Sequence, residues 1–152
     1  MLDTPEGNAY AGVKLNVPAG IHLRDVTHLV FSEKVTGGID GYNAPYFRVF
    51  TKDANGNDHD VIYSPSTQPG GPGSTVDWRR HNVVDGTVRY DDDGGNSDAA
   101  WSAMIAAHGN DLVQSVNIQA GDSGAYSEGA TALVDHVTLG ASGLLLRFDF
   151  GG

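Results

Sequence analysis

Residues 131–150, TALVDHVTLGASGLLLRFDF, hold two alternating runs, Leu133-Asp135-Val137-Leu139 and Leu144-Leu146-Phe148-Phe150, separated by the turn-forming Gly140-Ala141-Ser142-Gly143. A two-residue period with apolar side chains on one side is the pattern of a strand lying half on a core. Two such strands joined by a turn require a sheet that already exists, so the end of the chain predicts an antiparallel β fold. Asp135 shares its parity with Leu133, Val137 and Leu139. An unpaired carboxylate on the core side would be costly, so Asp135 is expected to be tied down at a sheet edge or bend.

The rest of the chain repeats this pattern. Ala11, Val13, Leu15 and Val17 share one face until Pro18-Ala19-Gly20 stops the run, and Leu29, Phe31 and Val35 share another with Glu33 interrupting. Tyr46 to Lys52 and Val61 to Tyr63 flank Asn55-Gly56, a pair that accepts positive φ and so marks a hairpin. Val76 to Arg80, Thr87 to Tyr90 and Asp111 to Gln119 read as further strands, the last with Leu112, Val116 and Ile118 inward. One helix is expected over 98–107, capped by Ser97 or Asp98 and closed by His108-Gly109, with Trp101, Met104, Ile105 and His108 on its apolar side. Gly supplies 21 of the 152 residues, twice the ~7% typical of proteins, and sits between the runs as many tight turns require. Eight or nine short strands with one helix fit an all-β, antiparallel jelly-roll β-sandwich occupying 1–152 as a single domain.

Several classes are disfavoured. Without cysteine there is no disulfide framework and no Cys-ligated metal. Nine basic against nineteen acidic residues give a charge of −10, which repels nucleic acid and anionic membranes. No run approaches the ~18 apolar residues that span a bilayer, and residues 1–20 lack a signal-peptide pattern. Export would then mean that a signal has been cut away.

The order of these pieces resembles the bacterial jelly-roll modules of the galactose-binding-like and carbohydrate-binding class. The matching features are the opening TPEGNAYAGVKL, the DVTHLVF strand, NAPYFRVFT with its Asn-Gly tip, STVDWRRHN, the helix before HGNDLVQSVNIQAG, and VDHVTLG closing into LLLRFDF. The likeness covers nearly the whole chain. It implies the fold more firmly than any ligand, and no run of exposed aromatics for a flat sugar platform can be matched.

Candidate ligand contacts are Tyr42, Tyr46 and Tyr126, which lie in or beside loops where a ring can stack on a sugar with its hydroxyl in water. Trp78, mid-strand, and Trp101, on the helix, read as core. Calcium is the one cofactor with any sequence support. Asp91, Asp92 and Asp93 with Asp98 form the densest carboxylate group, and a divalent ion would relieve their repulsion. The resemblance implies a second set, Asp3 and Glu6 with Asp149, where an N-terminal loop meets the last strand. The hairpin tip Asp53, Asn55, Asn57 and Asp58 mimics a calcium loop but has Asp58 where glycine is needed and Ser64 where a glutamate is needed. The six histidines form no zinc spacing, though His59 with Asp60, or His81, invites pairing as a base with its orienter. Ser123 lacks the strand-to-helix setting of a nucleophile elbow.

These features point to a non-catalytic, carbohydrate-binding-like accessory module of an extracellular or cell-surface protein, with loops 37–45, 64–74 and 121–129 as its binding elements. Its partner would be a glycan or another protein surface. The alternative is a structural or assembly domain, such as a surface-layer, adhesin or virion decoration unit, that self-associates. A small polysaccharide lyase or hydrolase is a third reading.

Overall fold

The structure is a computed structural model, and it describes residues 2–3, 11–37, 45–71, 77–92, 95–120 and 131–150. The elements run β1 (Leu2–Asp3), β2 (Ala11–Asn16), β3 (Val26–Gly37), β4 (Tyr46–Lys52), β5 (Asp58–Tyr63), β6 (Arg79–Asn82), β7 (Thr87–Asp92), β8 (Gly95–Ala100), α1 (Trp101–His108), β9 (Leu112–Ala120), β10 (Thr131–Ala141) and β11 (Leu144–Phe148). All strand pairs are antiparallel. One sheet has the order β1-β10-β3-β6, with β11 also on β10, and the other β2-β9-β4-β5-β7-β8. Late β10 lies between early β1 and β3, and late β9 between early β2 and β4, while β4, β5, β7 and β8 follow chain order; the chain passes between sheets at β1 to β2, β2 to β3, β3 to β4, β5 to β6, β6 to β7 and β9 to β10. This is the all-β sandwich expected from the alternating runs.

The core lies between the sheets. In β4, Phe47 and Val49 turn inward while Tyr46, Arg48 and Phe50 turn out. Phe47 meets Phe31 of β3 edge-to-face, with centroids 4.7 Å apart, joining the two sheets at their centre. Edge-to-face pairing adds to the burial of both rings. Val61, Val88, Val116, Ile118, Val137 and Leu139 complete the layer.

The ends of the elements differ from the sequence expectation for local reasons. The helix begins at Trp101, not at residue 98, because 95–100 pair with β7 as a strand and the Asp98 carboxylate is taken by Arg89 Nε at 3.0 Å. Trp101 and Met104 are buried as expected. Trp78 is not core but 49% exposed, since the β3–β6 ladder begins only at Glu33–Arg79, one residue past it. In β9 the register slips opposite Phe50 and Thr51, so Val113 rather than Leu112 faces inward.

At Asp135 the expectation of a tied-down carboxylate holds, and a bulge supplies the reason. The β10–β3 register jumps between Asp135 and Thr138, and His136 adopts φ 52°, an unusual value for a residue with a side chain. The inward face changes from Ala132 and Val134 before the bulge to Val137, Leu139 and Ala141 after it. Asp135 thus avoids the core, and its Oδ1 accepts the N–H groups of His136 (2.8 Å) and Phe150 (3.1 Å). The final strand keeps its expected parity, with Leu146 and Phe148 against the core, but it borders only β10. Leu144, Leu145 and Phe150 consequently remain 37%, 50% and 42% exposed.

Candidate functional site

The outer face of the six-stranded sheet carries polar side chains in ordered rows. Residues facing out of neighbouring strands at one register level lie side by side. One level reads Lys14, Asn117, Arg48, Ile62, Arg89, Asp98 across β2, β9, β4, β5, β7 and β8. The next reads Asn16, Ser115, Phe50, Asp60, Asp91 across five of these strands. Tyr46, beside Gln119, starts the level on the other side.

Two adjoining grooves run over this face and share Asp91. The first, of about 370 Å³, lies over β4, β5, β7 and β8 between Tyr46, Arg48, Arg89 and Asp98, with Ser64, Ser66 and Thr67 at its rim. The second, of about 680 Å³, lies over β2, β9, β4 and β5 between Lys14, Phe50, Asp60, Ser115 and Asn117. Together their lining residues reach from Lys14 on β2 to Asp98 on β8.

The charges on this face are balanced. Arg48 donates to Asp60 Oδ2 from Nε at 2.9 Å and also from Nη2, while its guanidinium lies 4.8 Å from the centre of the Phe50 ring. Arg89 is paired with Asp98, and that carboxylate, with Asp91 contributing, holds the guanidinium pKa above its ordinary value. Lys14, Arg48 and Arg89 stand against Asp60, Asp91 and Asp98. Among the described residues Asp91 and Lys14 make no hydrogen bond or ion pair. The side-chain oxygens of Asn117 and Gln119 are buried without a partner among them.

The residues singled out in the sequence fall unevenly. Tyr46 stands in the first groove, whereas Tyr42 and Tyr126 lie outside the described residues. Asp91 and Asp98 share this face with Arg89 between them in the rows, and Asp98 already has that arginine as partner. The side chain of Asp92, and Asp93, lie outside the described residues, as do Glu6 and the side chain of Asp3. Asp149 is exposed and lies beside Arg147 on the other sheet. At the hairpin tip, Asp53 accepts the backbone N–H groups of Asn55 (2.9 Å) and Asn57 (2.8 Å) and both of their side-chain amides. These bonds bring its pKa from 3.8 to about 2, so this carboxylate organises a turn. Among the described residues no three His, Asp or Glu side chains converge as metal ligands.

Comparison of the chain with protein-family models, with curated proteins and with solved structures finds no match in any of the three.

The two histidine pairings raised by the sequence resolve differently. His59 and Asp60 point to opposite faces of β5. His59 stacks on Tyr90 and lies 3.6 Å from Asp53, while Asp60 goes to Arg48. His81 does find a carboxylate, Glu33, at 2.9 Å and fully inside the sandwich, with Tyr63 on its other nitrogen at 3.3 Å. A base buried between two sheets and stacked on Phe31 holds the core together and does not face a groove. The sequence expectation centred on loops 37–45, 64–74 and 121–129, of which 38–44, 72–74 and 121–129 lie outside the described residues, and it did not single out the outward rows of the six-stranded sheet. An outward stripe of Tyr46, Arg48 and Phe50 is legible in the alternation of β4. Among the described residues no helix is long and apolar enough to cross a membrane.

Proposed function

We propose that this chain is a non-catalytic, carbohydrate-binding module whose ligand, a neutral glycan, lies along the outer face of the six-stranded sheet. The observation that carries this reading is the pair of connected grooves floored by cross-strand rows of Arg, Asp, Asn, Lys and Tyr with balanced charge. A neutral polyol offers many hydroxyls, each both donor and acceptor, and no net charge. It is best held by alternating cations and carboxylates whose mutual pairing keeps them fixed. Tyr46 and Phe50 supply ring surface at separate points, suited to stacking on individual sugar rings of an extended chain. The jelly-roll winding inferred from the sequence belongs to the same proposal, supported by the insertion of late β10 between β1 and β3 and of late β9 between β2 and β4.

The test is a glycan array probed with the wild-type chain and with Tyr46→Ala and Asp91→Ala. Neutral oligosaccharides should be retained by the wild type and bound about tenfold or more weakly by Asp91→Ala, since a hydrogen bond to a charged group contributes ~1.5–3 kcal/mol. Binding that is unaffected by both substitutions would place the ligand elsewhere.

A further inference from the structure

The opposite face of the molecule carries a second groove of different character. It covers about 600 Å³ on the outer side of the five-stranded sheet. Its floor is Val30, Ser32 and Thr138, and its two flanks are Arg80 on β6 and Arg147 on β11. Val30 lies outside the apolar core although it is 5% exposed, which confirms that this side of β3 is the outer one.

Neither arginine makes a hydrogen bond or ion pair among the described residues. The chain carries −10, and these two arginines lack the carboxylate partners that Arg48, Lys52 and Arg89 have. His28 and His136 also line the groove, and Asp149 is its one carboxylate. Lys34 extends the outward stripe of β3, and Asp135, at the bulge, is already occupied by two backbone N–H groups. A strongly acidic chain has thus left two cations unpaired on one face.

We propose that this groove binds an acidic polysaccharide, with Arg80 and Arg147 each receiving one oxyanion. The register places Arg80 opposite Ser32, and Arg147 opposite Thr138, which stands opposite Val30. The two arginines are three strand spacings apart and two residues out of step, roughly 15 Å at ~4.8 Å per spacing and ~3.4 Å per residue. A single small anion cannot reach both, whereas an extended polyanion can. Between them lie the hydroxyls of Ser32 and Thr138, and the imidazoles of His28 and His136 also line the groove, groups that serve sugar hydroxyls well. Leu145 is the only exposed apolar side chain in the groove, so an acidic peptide would find little to bury. The site does not depend on the neutral-glycan reading, because no residue is common to the two faces.

The test measures affinity electrophoresis and titration of the full chain against polygalacturonate, dextran sulfate, poly-glutamate and neutral dextran, at low and at high salt. The wild type should bind a polyanionic sugar, weaken as salt screens the contact, and ignore dextran. The double variant Arg80→Gln/Arg147→Gln should lose about tenfold or more of that affinity, as removal of charge-assisted hydrogen bonds implies, while binding neutral glycans as the wild type does. Polygalacturonate binding would make the recognised group a carboxylate, and dextran sulfate binding alone a sulfate ester. Either supports the proposal if the double variant loses it. Binding of poly-glutamate as tight as that of the sugars would overturn the polysaccharide assignment. So would a wild type that retains no polyanion, a double variant that binds unchanged, or sedimentation showing a dimer that the double variant dissolves, since a second copy would then be the occupant.

Discussion

His81 Nε2 lies 2.9 Å from Glu33 Oε1, with the two side chains 4% and 0% exposed between the sheets. Glu33 is the residue that interrupts the apolar alternation of β3, and His81 is the side chain that makes the interruption tolerable, because a buried polar group is costly unless it is hydrogen-bonded. Glu33→Leu should destabilise the chain by about 3–5 kcal/mol, the usual cost of removing one partner of a buried pair. Combining it with His81→Leu should recover part of that loss. Denaturant unfolding of the two single variants and the double variant checks this; strictly additive losses would show that the two side chains are not coupled.

Tyr63 donates or accepts at the far side of His81, and its burial raises the phenol pKa from 10.0 to about 12. A group that binds its proton more tightly when folded stabilises the fold below its unfolded value, and this contribution is lost as pH rises through the folded one. Stability should therefore fall between pH 10 and 12. Spectrophotometric titration should show one tyrosine resisting ionisation until about pH 12, and Tyr63→Phe should remove that late step.

The acid limb runs the other way. Asp53 is depressed to about 2 by the donors of Asn55 and Asn57, and Asp135 is lowered by the N–H groups of His136 and Phe150. Carboxylates with lowered folded values contribute stability that is present above pH ~4 and is lost as pH falls through the folded values. The wild-type melting midpoint should drop between pH 4 and 2, and Asp53→Asn should show a smaller drop over that interval. An equal drop in both would remove the hairpin tip from the explanation.

The two tryptophans should behave in opposite ways. Trp101 is 6% exposed under the helix and Trp78 is 49% exposed beside β6. Trp101→Ala should cost about 3–5 kcal/mol, whereas Trp78→Ala should stay within about 0.5 kcal/mol of wild type. Iodide should quench only the Trp78 emission, so the quenching plot should curve downward and become flat in the Trp78→Phe variant.

Local periodicity made the strands readable, and tertiary pairing decided the rest. Tyr46 to Lys52 appears as a strand with the bounds its alternation predicts, because all seven residues face the same two environments along their length. Asp135 was readable as a constrained acid, but the bulge at His136 was not, since two residues opposing one leave no mark in a hydrophobic pattern. The helix start failed because Ser97 and Asp98 are good caps locally, while Arg89 on the neighbouring strand claims the carboxylate. The proposed binding face was hidden for a similar reason. Lys14, Arg48, Arg89 and Asn117 are distant in sequence and become neighbours only through the order β2-β9-β4-β5-β7.

The most direct measurement is a heteronuclear NMR titration of the labelled chain with a neutral oligosaccharide retained on the array. If the six-stranded face is the binding surface, the amide and side-chain shifts will map to Arg48, Ile62, Arg89, Asp91 and Asn117, and Asp91→Ala will flatten the titration. Saturable shifts confined to the five-stranded face or to the loops, with these residues unmoved, would contradict it.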